Sequence, residues 1–185
     1  MSTLYVVAGP NGCGKSTLTR TTWLRDHDVI DPDAFARATA FARPAAAARE
    51  ALMRRRAALR ARRTHLLETT LAGSGVFRHM EAARAAGLRV ELYYVCVESP
   101  EVALHRIRTR VAAGGHHVPE PDVRRRFARS QANLPAAIVR SDEVRLYDNT
   151  DPDRPHREVA VMTDGMRWAA EDLPGWVEAA IARTL

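Results

Sequence analysis

Nine consecutive residues near the start of the chain, Gly9-Pro10-Asn11-Gly12-Cys13-Gly14-Lys15-Ser16-Thr17, restrict the possible folds more than any other stretch. Two glycines separated by four residues and followed by Lys and Ser have the spacing of a loop whose backbone amides wrap a phosphate. The flanks agree: Thr3 to Ala8 is a β-branched and aromatic run suited to a buried strand, and Lys15 to Leu24 reads as helix. Glycine admits positive φ, so the amides turn inward around a β-phosphate that also meets the positive end of the helix. Lys15 then reaches the β- and γ-oxygens, Ser16 offers its hydroxyl to Mg²⁺, and Thr17 can bond an α-phosphate. The expectation is a site for ATP or GTP with magnesium, built from Gly9, Pro10, Asn11, Gly12, Cys13, Gly14, Lys15, Ser16 and Thr17.

The rest of the chain continues the strand–helix alternation. Val29-Ile30, Thr64 to Thr69, Arg89 to Val97 and Val144 to Tyr147 have strand character. Helices are predicted from Asp31-Pro32 through Ala42, over Ala45 to Arg62, from Gly75 to a stop at Gly87, from Ser99-Pro100 to about Ala113, over Asp122 to Asn133 and from Pro174 to Arg183. His156 to Met162 and Met166 to Trp168 flank Thr163-Asp164-Gly165, a hairpin signal. Such alternation implies right-handed crossovers and a mostly parallel five-stranded sheet covered on both faces, a three-layer α/β/α sandwich with a possible C-terminal hairpin. With 185 residues and 46% hydrophobic content, one domain spanning 1–185 is expected.

Charge points to anionic partners. Lys plus Arg total 28 against 22 acidic residues, with a pI near 10.1. Lys15 is the only lysine; the remaining cations are arginines, whose planar fork suits phosphate. Cys13 and Cys96 have neither zinc nor redox-pair spacing, which fits a reducing compartment. No secretory leader precedes the first strand and no apolar run approaches the roughly 20 residues that span a bilayer, so a cytoplasmic protein without a membrane partner is expected.

A phosphate loop alone does not separate kinase from ATPase or switch, so the acceptor side has to be read. Asp31-Pro32-Asp33 follows the second strand, and Glu68-Thr69-Thr70-Leu71 ends the third, both at the sheet rim where ligands bind. Asp33 there can accept a hydroxyl proton; equally, Asp31 suits a helix cap and Asp33 a first-turn position, and the residues alone leave both readings open. Arginines between Arg106 and Arg126 flank the Gly114-Gly115 loop as a mobile lid, with Arg110, Arg124 and Arg126 available to neutralise transferring charge or simply to solvate a helix face. His116 and His117 carry no metal-ligand spacing.

Together these segments resemble the zeta toxin family of P-loop kinases, also called UDP-N-acetylglucosamine kinases. The matching segments are Ala8 to Gly12 with Gly14 to Thr17, Ile30 to Asp33, Glu68 to Leu71, and Gly114-Gly115-His116 with Val118-Pro119, covering about Leu4 to Asn149. The resemblance implies ATP-dependent phosphorylation of the sugar 3′-hydroxyl of UDP-N-acetylglucosamine and a cognate antitoxin that blocks the nucleotide site. It implies that Asp33 is the base that activates that hydroxyl and that Glu68, with Thr69, helps hold substrate. Larger members place an arginine just before the lid proline where this chain has His116, leaving Arg124 or Arg126 to substitute, beside Arg110 as a further catalytic lid arginine. The expected activity is therefore a small-molecule kinase acting on a nucleotide-sugar-like acceptor. Two other readings stay open: a nucleotide-dependent regulatory ATPase or binding module, and a polynucleotide 5′-hydroxyl kinase suggested by the arginines from Arg54 to Arg63. An aromatic content of 6% offers little for base stacking, which weighs against nucleic acid.

Overall fold

The computed structural model describes residues 1–30, 44–115, 117–163 and 165–184. Among them the chain forms β1 (Thr3–Ala8), α1 (Lys15–Thr21), a 3₁₀ turn (Trp23–Asp26), β2 (Val29–Ile30), α2 (Pro44–Arg60), β3 (His65–Thr69) and α3 (Gly75–Ala85). β4 (Arg89–Cys96), α4 (Pro100–Ala112), α5 (Glu120–Ile138), β5 (Glu143–Asp148), β6 (Arg157–Met162), β7 (Met166–Ala169) and α6 (Gly175–Ala182) follow. The helix expected from Asp31 to Ala42 lies outside the described residues.

The strands form one sheet in the order β2-β3-β1-β4-β5-β6-β7. The first five run parallel, as the alternation implied, and the β6–β7 hairpin extends the sheet antiparallel beyond β5. Pairing registers divide the side chains between two faces. Leu4, Val6, His65, Leu67, Leu92 and Tyr94 share one face, where Tyr94 meets Ser130 of α5 at 3.1 Å and the Trp176 ring of α6 at 5.5 Å. Tyr5, Val7, Glu68, Glu91 and Tyr93 share the other, covered near the strand ends by α1 and the 3₁₀ turn, whose Trp23 packs edge-on against Tyr5. Farther along, Arg89 and Arg145 bridge Glu91, Glu143 and Glu158 across β4, β5 and β6. The third layer is therefore the thinner one among the described residues.

Local chemistry explains the helix limits. Ser99 caps α4 by accepting from the Val102 amide, with Pro100 in the first turn. At the other end the Gly115 and Gly114 amides return to the carbonyls of Arg110 and Val111, with Gly114 at φ +84, a left-handed helix cap. α5 runs beyond the predicted end at Asn133 and through Pro135 to Ile138. Proline removes one amide there, but buried Leu134, Ala137 and Ile138 hold the last turn against the core.

A buried pair of imidazoles sits between β3 and α3. His65 Nδ1 lies 2.9 Å from the Arg63 carbonyl, and its Nε2 lies 3.0 Å from Nε2 of His79. Neutral rings satisfy this if His65 donates from Nδ1 to the carbonyl and accepts at Nε2 from His79. Burial pushes both pKa values down, that of His79 to about 3, with the neighbouring His65 and Arg55 adding to the effect. The folded state thus resists protons that the unfolded chain accepts near pH 6.5. The contribution is complete above that value and is lost as pH falls through the window toward 3. Between pH 7 and pH 5 His79 is expected to withdraw about 2 kcal/mol of stability. Urea unfolding at several pH values checks this: His79→Leu should flatten that slope, and an unaltered slope would remove the assignment.

Candidate phosphotransfer site

β1 lies where the strand order departs to β3 on one side and to β4 on the other, the point at which a parallel sheet opens a crevice beyond its carboxyl ends. The loop from Gly9 to Gly14 occupies it. Gly9 has φ +141 and Gly14 φ +100. A Cβ on Gly9 would overlap the Val95 carbonyl oxygen, and one on Gly14 would strike the Asn149 side-chain amide. Backbone conformation and space therefore both demand glycine at the two positions.

The loop's polar groups converge. Lys15 is 9% exposed, and its Nζ donates to the Pro10 carbonyl at 2.8 Å. Ser16 Oγ donates to Glu68 Oε1 at 2.6 Å. The Gly9 amide donates to the Thr69 carbonyl at 3.2 Å, tying the start of the loop to the end of β3. A hydroxyl and a carboxylate in contact beside the lysine are hard oxygen donors of the kind Mg²⁺ takes when phosphates and water complete its shell. The residues present thus fit the expected metal, with Ser16 and Glu68 as the protein groups that would hold it. Glu68, expected to help hold the acceptor, is here bonded to Ser16 of the phosphate loop.

A cleft of about 1370 Å³ surrounds these groups, larger than the 300–1,000 Å³ usual for a single small ligand. Asn11, Gly12, Gly14 to Thr17, Glu68, Thr69 and Thr70 all line it. Thr69 also accepts the Leu71 amide through its hydroxyl at 3.2 Å. Arg20, Arg55, Arg106, Arg110 and Arg126 reach the cleft beside Lys15, against Glu68 and Asp122. Such an excess of cations favours a polyanionic occupant.

The structure does not bring Arg124 to this cleft. Its guanidinium bonds Glu101 at 2.6 Å and Glu120 at 2.8 Å. Two residues along a helix turn the direction by about 200°, so with Val123 and Phe127 buried Arg126 flanks the core face on the cleft side and Arg124 on the opposite side. Arg126 stands 3.5 Å from Asn11 Oδ1. Arg106 and Arg110, one helical turn apart, both line the cleft, and Gly115 packs against the Arg110 side chain. The periodicity of the sequence could have chosen Arg126 over Arg124. It held no comparable signal for Arg20, Arg55, Asn149 or His156. Asp33, Asp31 and His116 lie outside the described residues.

Cys13 is fully buried, and burial pushes its thiol well above the usual range. Its neighbour is Cys96 of β4, and both thiols are free.

The AAA_33 family model, an AAA domain, matches residues 4–134. The chain belongs to this family. A Haemophilus influenzae protein without assigned function is 32% identical to this AAA domain protein over 123 residues, 64% of this chain and 88% of that one. A chain of the AvrRxo1-ORF1:-ORF2 complex solved with ATP superposes on all of this AAA domain protein with a TM-score of 0.74 at 19% identity. The match spans 64% of that longer chain. A chain from the PezAT chromosomal toxin–antitoxin system of Streptococcus pneumoniae matches 99% of this chain and 86% of its own, with a TM-score of 0.64 at 14% identity. These similarities establish a P-loop kinase-like fold for the AAA domain protein. Among its described residues no helix is long and apolar enough to cross a membrane.

Proposed function

We propose that this chain works as a single-domain, ATP-dependent small-molecule kinase of the zeta toxin type, transferring the γ-phosphate to a hydroxyl of a nucleotide-sugar such as UDP-N-acetylglucosamine. The observation that carries the reading is the continuity of one cationic cleft from Lys15 and Ser16 to Glu68, Thr69 and Thr70. A nucleotide on the loop then leaves space for a second substrate beside its terminal phosphate. A regulatory ATPase needs no such space.

In this reading Lys15 leaves the Pro10 carbonyl for the β- and γ-oxygens, and Arg106, Arg110 and Arg126 neutralise the transferring phosphoryl. Magnesium, when bound, screens the phosphate charge and orients the γ-phosphoryl group. Glu68 and Ser16 hold that ion, Thr69 and Thr70 face the acceptor, and Asp33 takes the acceptor proton as general base. In-line positioning supplies much of the rate, because bond-making within a held pair avoids the entropy of an encounter. The similarity to a chain from the PezAT toxin–antitoxin system supports a cognate antitoxin protein as partner, and we place both in the cytoplasm.

Incubation with Mg-ATP and a metabolite extract, followed by mass spectrometry, should reveal products heavier by one phosphate, with a UDP-sugar among them. Asp33→Asn should lower that yield by about 10²-fold. Full yield from this variant would remove Asp33 as base. ATP hydrolysis with no phosphorylated metabolite would instead support a regulatory ATPase.

A further inference from the structure

We propose that Asn149 and His156, at the two ends of the segment joining β5 to β6, are positioning residues that set the amide directions of the phosphate loop. The proposal rests on the nucleotide-binding reading of that loop. Asn149 Nδ2 donates to the Cys13 carbonyl at 2.9 Å, and His156 Nε2 lies 3.1 Å from the Gly14 carbonyl. A carbonyl only accepts, so His156 carries its proton at Nε2. The His156 main-chain amide in turn donates to Asn149 Oδ1 at 3.0 Å. Two consecutive carbonyls of the loop are thus gripped by one connected bracket.

Peptide geometry turns that grip into an effect on the ligand side. The peptide unit is planar and trans, so its C=O and the following N–H point in opposite directions. Holding the Cys13 carbonyl outward aims the Gly14 amide inward, and at Gly14 the His156 bond adds to those its carbonyl accepts from the Thr17 and Leu18 amides of α1, each at 3.0 Å, in fixing the Lys15 amide. A carbonyl that accepts hydrogen bonds also polarises its own peptide, strengthening the opposite N–H as a donor. Gly9, Gly12 and Gly14 all sit at positive φ, and glycine contributes no side chain to hold such a loop. At Cys13 the bracket supplies from outside what the glycines lack, and at Gly14 it reinforces the first turn of α1.

The bracket is itself braced. Asn149 is 7% exposed, and its main-chain amide donates to the Cys96 carbonyl at 2.9 Å. Thr150 next to it bonds Asp148 at 2.6 Å and accepts the Glu98 amide at 2.9 Å. His156 adopts φ +53, a left-handed conformation uncommon outside glycine that histidine and asparagine adopt more readily than other residues. The wall formed by Asn149 and His156 also lines the cleft directly, so the bracket and the nucleotide share one boundary.

Lys15 is the only lysine in the chain, so selective ¹⁵N-lysine labelling reports the Lys15 backbone amide as a single resonance. Asparagine tolerates positive φ but is too short to span from position 156 to the Gly14 carbonyl, which makes His156→Asn the mild variant and Asn149→Ala the severe one. In His156→Asn the Lys15 resonance should move before any nucleotide is added. ADP affinity by calorimetry should fall about 10-fold, the KM for ATP should rise in step, and the nucleotide-free melting temperature should stay unchanged. An unmoved resonance or an unaltered ADP affinity in this variant overturns the proposal. Failure of the wild-type protein to bind ADP would overturn the nucleotide reading itself, a separate result.

Discussion

Lys15→Met is expected to lower phosphotransfer from ATP by about 10³-fold and to leave the nucleotide-free protein folded. The lysine stem is packed away, and its ammonium bonds one neutral carbonyl, that of Pro10. A charge so placed is poorly compensated and exchanges readily to phosphate oxygens, where charge-assisted bonds are roughly twice as strong. Methionine keeps the stem and its apolar contacts while removing the charge. Initial rates with Mg-ATP, set beside thermal melts, separate the two effects. A rate within 10-fold of wild type would show that the loop does not hold the transferring phosphate.

Glu68→Gln is expected to reduce the rate at fixed magnesium by about 10²-fold and to shift half-maximal activity to higher magnesium concentration. Glutamine has the same shape and can still accept the bond that Ser16 donates at 2.6 Å. A purely structural role would therefore survive the change, whereas a charge directed at Mg²⁺ would not. A magnesium titration of activity provides the measurement. Unchanged metal dependence with a raised KM for the acceptor would return Glu68 to the substrate role that the sequence suggested.

Much of the fold was legible because its signals are local. Strand character at Thr3 to Ala8 and Arg89 to Val97 depends on neighbours two residues apart, and helix starts such as Ser99-Pro100 depend on the next three. The end of α5 was misread for the same reason. Pro135 is a local stop signal, and the burial of Leu134, Ala137 and Ile138 that overrides it comes from elements distant in the chain. Arg124 and Arg126 illustrate an intermediate case. Both belong to one cationic run, and only the helix phase against the core separates the one held by Glu101 and Glu120 from the one facing the cleft.

By itself the sequence determined the phosphate loop, its strand and helix, and the alternation that builds a parallel sheet, since these follow from the conformational limits of a few adjacent residues. Tertiary structure alone decided which polar groups meet across the cleft. Ser16 and Glu68 are 52 positions apart, and Cys13 and Asn149 are 136 apart. No local preference encodes such meetings; they arise when buried strands align their carboxyl ends on one rim and the loops above have to satisfy each other's donors and acceptors.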